Sequence, residues 1–491
     1  MRFVRTLLGT VGGAAMLHPA KPVRALGAAA LTVALAGSVL MGPTPQHAVA
    51  ADTRPNIILI STDDMNKSDL RWMPKTRKLL ANAGVTLDGF ISNNPICCPA
   101  RAEILTGQLS HNNGVHYNDG PWGGYKVLEE PGNHVGSWLK DAGYKTAFVG
   151  KHMNGWEETA RRQRGWTIFN PIIKGIYKPY GLTMFNDGHP RRYRNIHSSD
   201  LVGKLTVNYI NRFSDSKAPF FIWASQVAPH QVLIKGKWKP PVPAKRHSDL
   251  YPNAVPPSLS DPSFNEADVS DKPPYVQDSS MMSRRAVIRF HRARIRTLRS
   301  VDDQVGAAVR ALRDAGEARN TYIFFTSDNG WLLGEHRLGA KRKPYEQSLQ
   351  VPLVVKGPGL KAGTTRRQTF SLADLAPTFV QLADATPRRT LDGRSMLPTL
   401  RRGAPGYKHY LIHASSHSQE WWWQGVRSDS FVYIRYDDGF EELYDMQKDP
   451  AQLQNVADAP GYQAVRAEYA ARLARLQDCS GEDCQSGGRV G

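Results

Sequence analysis

Four times along the chain an apolar run stops on a charged or polar group, and this pattern constrains the fold more than any other feature of the sequence. NIILIST, residues 56–62, is apolar and β-branched without alternation, which reads as a strand buried on both faces, and it leads into Asp63-Asp64. VGSWLKDAGYKTAFVGK reads as a short amphipathic helix that turns at Gly143 into a strand delivering Lys151. PFFIWASQVAPH delivers His230 in the same way. Val301, Val305, Val309 and Leu312 recur at helical spacing, Gly316 ends that helix, and TYIFFTS then runs into Asp328-Asn329. Alternation of this kind specifies an α/β fold with a large, doubly wound, mostly parallel sheet. Polar groups at the carboxyl ends of such strands face the crevice where open α/β sheets bind ligands.

With 491 residues there is room for two domains and a large core. Hydrophobic residues at 41% and charged residues at 22% exclude a disordered tail protein and a polytopic membrane protein. Residues 51–402 are expected to form the α/β domain, with Pro240 to Lys272 as a long ordered loop rich in Pro, Ser and Asp. From Gly403 the pattern shortens to strands such as FVYIRY, followed by a helix bearing Val465, Tyr469, Leu473 and Leu476. Residues 403–491 therefore read as a smaller C-terminal α+β domain.

The first fifty residues hold Arg2, Arg5, Lys21 and Arg24 but no acid, then LGAAALTVALAGSVLMG, then Ala48-Val49-Ala50. Residues 1–50 are expected to be a secretion signal cleaved near Ala50, by the general route because the two N-terminal arginines are not adjacent. A retained membrane anchor is the alternative, since the run approaches the roughly 20 residues that span a bilayer. Loss of the four basic residues takes the formal net charge from +19 to +15. The remaining surplus suits nucleic acid, an acidic membrane or a polyanionic substrate. Cys479 and Cys484 lie close enough for a small disulfide, two free thiols being the alternative.

The densest motif is CCPARAEILTG, from Cys97 to Gly107. Its C-x-P-[SA]-R core followed by LTG resembles the signature of the type I sulfatases of the alkaline phosphatase superfamily. DDM, GK at Lys151, APH at His230, TSDNG at Asp328, LGEHRLGAKRKPYE with Lys341, VPLVVKGPG and ELYDMQKDP extend the resemblance in order along nearly the whole chain. The resemblance implies that a formylglycine-generating enzyme oxidises Cys97 to formylglycine, with Pro99 and Arg101 at the positions that enzyme reads. It implies a divalent cation, Ca²⁺ with Mg²⁺ as the alternative, held by Asp63, Asp64, Asp328, Asn329 and the modified Cys97. It further implies Arg101 holding the formylglycine hydroxyl, Lys151 and Lys341 clamping sulfate, and His230 protonating the leaving alcohol. Cys97-Cys98 read alone has the alternative of a buried thiol beside a disulfide partner.

Chemistry independently asks for these groups. A sulfate monoester needs its anion held, a nucleophile supplied and its leaving oxygen protonated. Hard oxygen ligands without a Cys/His cluster suit Ca²⁺ or Mg²⁺ rather than zinc. The sequence departs from the family's frequent K-x-H: Met153 stands where a histidine assists the final elimination, and His152 is expected to face the other way. The GK-x-x-N form, HNNGVHYND and PYGLTMFNDG resemble the N-acetylglucosamine-6-sulfatase and heparan-type branch, with His116, Asn118 and Asn154 as candidates for lining the substrate side. Between Arg161 and Arg194, basic residues alternate with Trp166, Phe169, Tyr177, Tyr180 and Tyr193, a pattern for an acidic sugar chain or a solvated basic face. The expectation is a secreted sulfatase acting on a sulfated small molecule or acidic polysaccharide, with no nucleic acid partner and no stable membrane insertion. A phosphonate or phosphodiester hydrolase and a non-catalytic polysaccharide binder are the rivals.

Overall fold

The computed structural model describes residues 52–158, 162–216 and 218–487; the expected signal at 1–50 lies outside them. The four apolar runs become adjacent strands of one ten-stranded sheet. Asn56–Thr62 lies at its centre, parallel to Thr321–Ser327 on one side and to Phe220–Ser225 on the other; Lys145–Gly150 follows, parallel to Phe220–Ser225. Thr62 pairs with Ser327, Ser61 with Ser225, and Gly150 with Ser225, so these four strands end on one line. Whatever follows each strand meets the others at that edge. Leu353–Lys356 is inserted antiparallel beside Thr321–Ser327, and Leu182–Met184 and Arg191–Tyr193 add an antiparallel margin at the far side.

Alternation along the central strand divides the core in two. Ile57 and Leu59 pack with Leu105, Trp138, Leu139 and Phe379, while Ile58 and Ile60 pack with Ile210, Leu298, Val301, Val305 and Val309. Helices thus cover both faces, as a doubly wound sheet requires. The predicted helix containing Val301 extends over Arg284–Asp314, and Gly316 adopts the left-handed conformation just beyond it.

In the C-terminal part, His409–Ala414, Trp423–Ser428, Phe431–Tyr436 and Glu441–Asp445 form an antiparallel sheet of four strands. One face carries helix Gln463–Leu476 through Tyr469, Leu473 and Leu476, with Val465 at its margin; the other packs on Leu332, Tyr345 and Leu349. Cys479 and Cys484 form a disulfide. The stretch from Pro240 to Lys272 is an ordered excursion containing the single turns Lys245–His247 and Pro257–Ser260. Among the described residues no helix is long and apolar enough to cross a membrane.

Candidate active site

Each strand end is shaped by a local constraint. Asp64 takes a left-handed conformation, φ 69°, and the turn is pinned by Asp64 N donating to Asp328 Oδ1 at 3.1 Å and Met65 N to Ser327 Oγ at 2.9 Å. Gly150 precedes Lys151 because a Cβ there would sit 1.8 Å from the Ser225 carbonyl oxygen. Cys97 is the first residue of helix Cys97–Thr106, all ten residues of which are buried, and Gly107 closes it at φ 68°. Its sulfur therefore stands at the positive end of a helix dipole, an environment that favours an anion. The loop bearing Lys341 is strained: His336, Arg337, Ala340 and Arg342 all have positive φ.

These constraints bring nine predicted residues together. Cys97 Sγ lies 3.3 Å from Asp63 Oδ1 and 2.9 Å from Lys341 Nζ. Lys151 Nζ donates to Asp63, and Lys341 Nζ to Asp64. Arg101 donates to Asp328 Oδ2 from Nε at 3.1 Å and from a terminal nitrogen at 2.9 Å, and to the Lys151 carbonyl at 2.8 Å. Asn329 Nδ2 donates to Asp64 Oδ1 at 2.8 Å, and His230 Nε2 lies 3.6 Å from Asp64 Oδ2. His230 Nδ1 lies 2.8 Å from the Gln231 carbonyl. Nδ1 therefore carries a proton, leaving Nε2 to exchange one with the site.

Burial and charge act against each other throughout the cluster. Burial raises the Asp63 carboxyl, but Lys151, His230, Arg101 and Lys341 together outweigh it and hold Asp63 well below the usual carboxylate range. Asp328 goes the other way, pushed up to about 6 by burial and by Asp63. The Cys97 thiol is raised to about 11 by burial and then by Asp63, so the unmodified sulfur stays protonated at neutral pH. Burial lowers His230, with Asp64 and Asp63 opposing. Lys151 and Lys341 are lowered by burial but raised further by their carboxylates, and remain charged.

A hard cation fits this donor set. Asp64 Oδ2 and Asn329 Oδ1 are buried without a hydrogen-bond partner, a costly state that a bound ion relieves. Ligand atoms of Asp63, Asp64, Cys97 and His230 lie within 4.8 Å of one another. Asp63, Asp64 and Asp328 face Arg101, Lys151 and Lys341, so their charges balance. A divalent cation then leaves a positive excess, the sign an anionic substrate needs.

The three candidates for the substrate side lie apart from this cluster. Asn118 Oδ1 accepts from the Cys98 backbone at 2.8 Å, and Asn154 N donates to Cys98 Sγ at 3.2 Å, so both brace the helix start. His116 stacks on Trp421 at 4.4 Å. Met153 is buried in the core and His152 points into a cage of Phe148, Trp156 and Phe169, so neither reaches the cluster. In the basic stretch, Trp166 and Phe169 are core residues rather than sugar platforms, and Tyr177 stacks on His230 at 4.5 Å.

Two supporting residues escape a reading of the sequence, and a third, Tyr177, is read there only as an aromatic of the basic stretch. Arg294, fully buried, donates to the Asp64 carbonyl at 2.5 Å and to Asn66 and Asp69 at 2.9 Å. Ser225 links Arg101 to the Lys151 carbonyl. Tyr177 also lies 5.0 Å beneath the Lys151 ammonium. Arg294 sits among many arginines of one helix, and no local signal separates it from the solvated ones. Ser225 ends an apolar strand at the same line as Lys151, and only the strand register identifies it.

The chain is similar to known sulfatases in sequence and in fold. Residues 55–385 match the family model described as Sulfatase, and residues 334–479 match N-sulphoglucosamine sulphohydrolase, C-terminal. An N-acetylglucosamine-6-sulfatase of Homo sapiens is 30% identical over 92% of this chain and 89% of its own length. An arylsulfatase of Volvox carteri is 30% identical over 91% and 78%. A solved structure described as a complex with its substrate D-glucosamine-2-N,6-O-disulfate superposes with a TM-score of 0.73 at 24% identity, covering 88% of this chain and 98% of its own, a likeness of fold.

Proposed function

The chain belongs to the sulfatase family, on the N-acetylglucosamine-6-sulfatase branch, and is a sulfuric ester hydrolase; from that premise we propose that it removes sulfate from a sulfated sugar or glycosaminoglycan, through formylglycine made from Cys97 and a bound divalent cation. The observation that carries this reading is the convergence of Arg101, Lys151, His230 and Lys341 on Cys97 at a helix N-terminus beside three carboxylates.

The hydrated aldehyde made from Cys97 supplies a hydroxyl nucleophile and a second hydroxyl whose collapse releases sulfate. Asp63, Asp64, Asp328, Asn329 and residue 97 would hold Ca²⁺ or Mg²⁺, which would supply positive charge for a sulfate oxygen. The remaining work belongs to side chains. Lys151 and Lys341 donate charge-assisted hydrogen bonds to sulfate oxygens, a role open to them because each ammonium already reaches the cluster. Arg101 fixes Asp328 and the Lys151 backbone, so it sets the positions of two functional groups at once. His230 delivers its Nε2 proton to the leaving oxygen, held in place by Gln231 and Tyr177. With Met153 and His152 both turned into the core, neither reaches the cluster to take the proton in the collapse step. His116 lines the substrate side through its stack with Trp421, and Asn118 and Asn154 act by holding the Cys97 helix start.

We also propose export with signal cleavage near Ala50, and a division near residue 403, between helix Leu397–Arg402 and strand His409–Ala414. The mass of the tryptic peptide spanning Cys97 tests the mechanism, since an active preparation must contain the aldehyde or its hydrate there. An unmodified thiol in protein that binds acidic polysaccharide without turnover favours the non-catalytic binder. Turnover of N-acetylglucosamine 6-sulfate above that of an aryl phosphodiester is expected, and the reverse preference overturns the sulfatase reading.

A further inference from the structure

We propose that the β-hairpin of strands Val232–Ile234 and Lys237–Lys239 is a binding arm for the extended chain of a sulfated polysaccharide. The proposal rests on the sulfatase reading above and adds to it where the rest of a polymeric substrate lies.

The hairpin begins two residues after His230. Its two turn residues both have positive φ, Lys235 at 49° and Gly236 at 72°, the geometry of a tight type I′ turn, which matches the twist of its strands and makes the arm short and stiff. Residues 231–247, QVLIKGKWKPPVPAKRH, contain Lys235, Lys237, Lys239, Lys245 and Arg246 and not one acid. Leu233 to Lys239 are all exposed, and Trp238, the largest of them, remains 49% exposed. Leu233 and Ile234 are exposed beside it, so one hairpin carries three of the exposed large apolar side chains, a grouping that marks an interaction site more than a solvated basic loop does.

Position decides what such an arm can bind. Trp238 lies 5.4 Å from the His230 ring and 5.0 Å from Tyr177, which itself stacks on His230; Leu233 N donates to the Tyr177 carbonyl at 2.9 Å. A residue that protonates the leaving oxygen faces the carbon skeleton of the substrate, so the sugar departs on the side of His230. Trp238 is the next ring on that side. Its exposed surface suits a sugar face, and the lysines, with exposed Lys178 beside Tyr177, suit sulfates or carboxylates further along the chain. The same lysines and exposed Ile234 would suit an anionic membrane, but the anchorage of Trp238 on the catalytic histidine favours the glycan.

The test uses full-length protein carrying Lys235→Ala, Lys237→Ala and Lys239→Ala together. Three exposed charge pairs are worth about tenfold in affinity. In a Cys97→Ala background, binding of a heparin-derived hexasaccharide should weaken by about that factor. With Cys97 intact, the ratio of kcat/KM on the hexasaccharide to that on an aryl sulfate should fall by about the same factor, and Trp238→Ala should raise KM for the hexasaccharide. Unchanged hexasaccharide affinity, an equal loss on both substrates, or loss of binding only to phosphatidylglycerol vesicles overturns the proposal. Absence of turnover by the wild type would sink the sulfatase chemistry instead, while the binding measurement still reads the arm.

Discussion

Acidification compared between wild type and one variant isolates the contribution of a single buried histidine, His152. Its ring sits in contact with Phe148, Trp156 and Phe169, Nδ1 has no hydrogen-bond partner, and Nε2 lies 3.2 Å from Gln163 Oε1. Burial, with a smaller effect from His134, holds its pKa down at about 3. In the unfolded chain the same imidazole titrates near 6.5, at about 1.36 kcal/mol per pH unit. A group whose folded pKa is depressed stabilises the fold above its unfolded value and loses that contribution as pH falls, because only the unfolded chain takes up the proton. Between pH 7 and pH 5 the loss from His152 comes to about 2 kcal/mol, a large share of the 5–15 kcal/mol of a typical domain. Other groups titrate over the same range: Glu335, pushed up to about 7, and Asp374, pushed up to about 6, both by burial, are protonated in the folded state first and so stabilise on acidification. The raw profile therefore mixes signs, and the informative quantity is a difference. His152→Phe keeps an aromatic ring in an aromatic cage, and Gln163 Oε1 retains the Trp166 indole donor at 3.1 Å. Urea unfolding of both proteins at pH 7, 6 and 5 should show wild type losing about 2 kcal/mol relative to the variant over the interval. Parallel profiles would refute the reasoning, whatever the absolute stability of the variant.

Arg101→Met strands Asp328 and the Lys151 carbonyl in the interior, and removing one partner of a buried pair should cost about 3–5 kcal/mol, read as a lowered urea midpoint. His230→Gln should reduce kcat by about 10²–10⁴ on a sugar sulfate but far less on an aryl sulfate, whose leaving group needs less protonation; equal losses on both would remove His230 from the proton transfer. Thermal scans with added Ca²⁺ should show a raised midpoint, by about 2.7 kcal/mol at a hundredfold excess over Kd, and Asp64→Asn should abolish the shift. Rising salt should weaken capture of a long sulfated chain more than that of an aryl sulfate, and equal sensitivity would leave the surface charge without a part in binding.

The elements legible in the sequence are those fixed by local periodicity and turn chemistry. The runs 56–62 and 321–327 are strands with those ends because residues buried on both faces need no alternation, and Asp63-Asp64 and Asp328-Asn329 follow from where the runs stop. The Cys479–Cys484 disulfide is likewise set by neighbours in sequence. What the tertiary structure alone decided depends on partners far apart along the chain. Arg294 meets Asp64 across 230 positions, Arg101 meets Ser225 across 124, and Lys341 meets Cys97 across 244. An arginine on a basic helix, an aromatic in a basic stretch or a histidine after a strand reads the same whether it faces water or the core. Parallel strand register gave Ser225 its neighbours, sheet packing turned His152 and Trp166 inward, and the hairpin after His230 left Trp238 outside. Burial then fixed their chemistry, because the same side chain in a low-dielectric interior holds its proton, its charge and its partners on different terms.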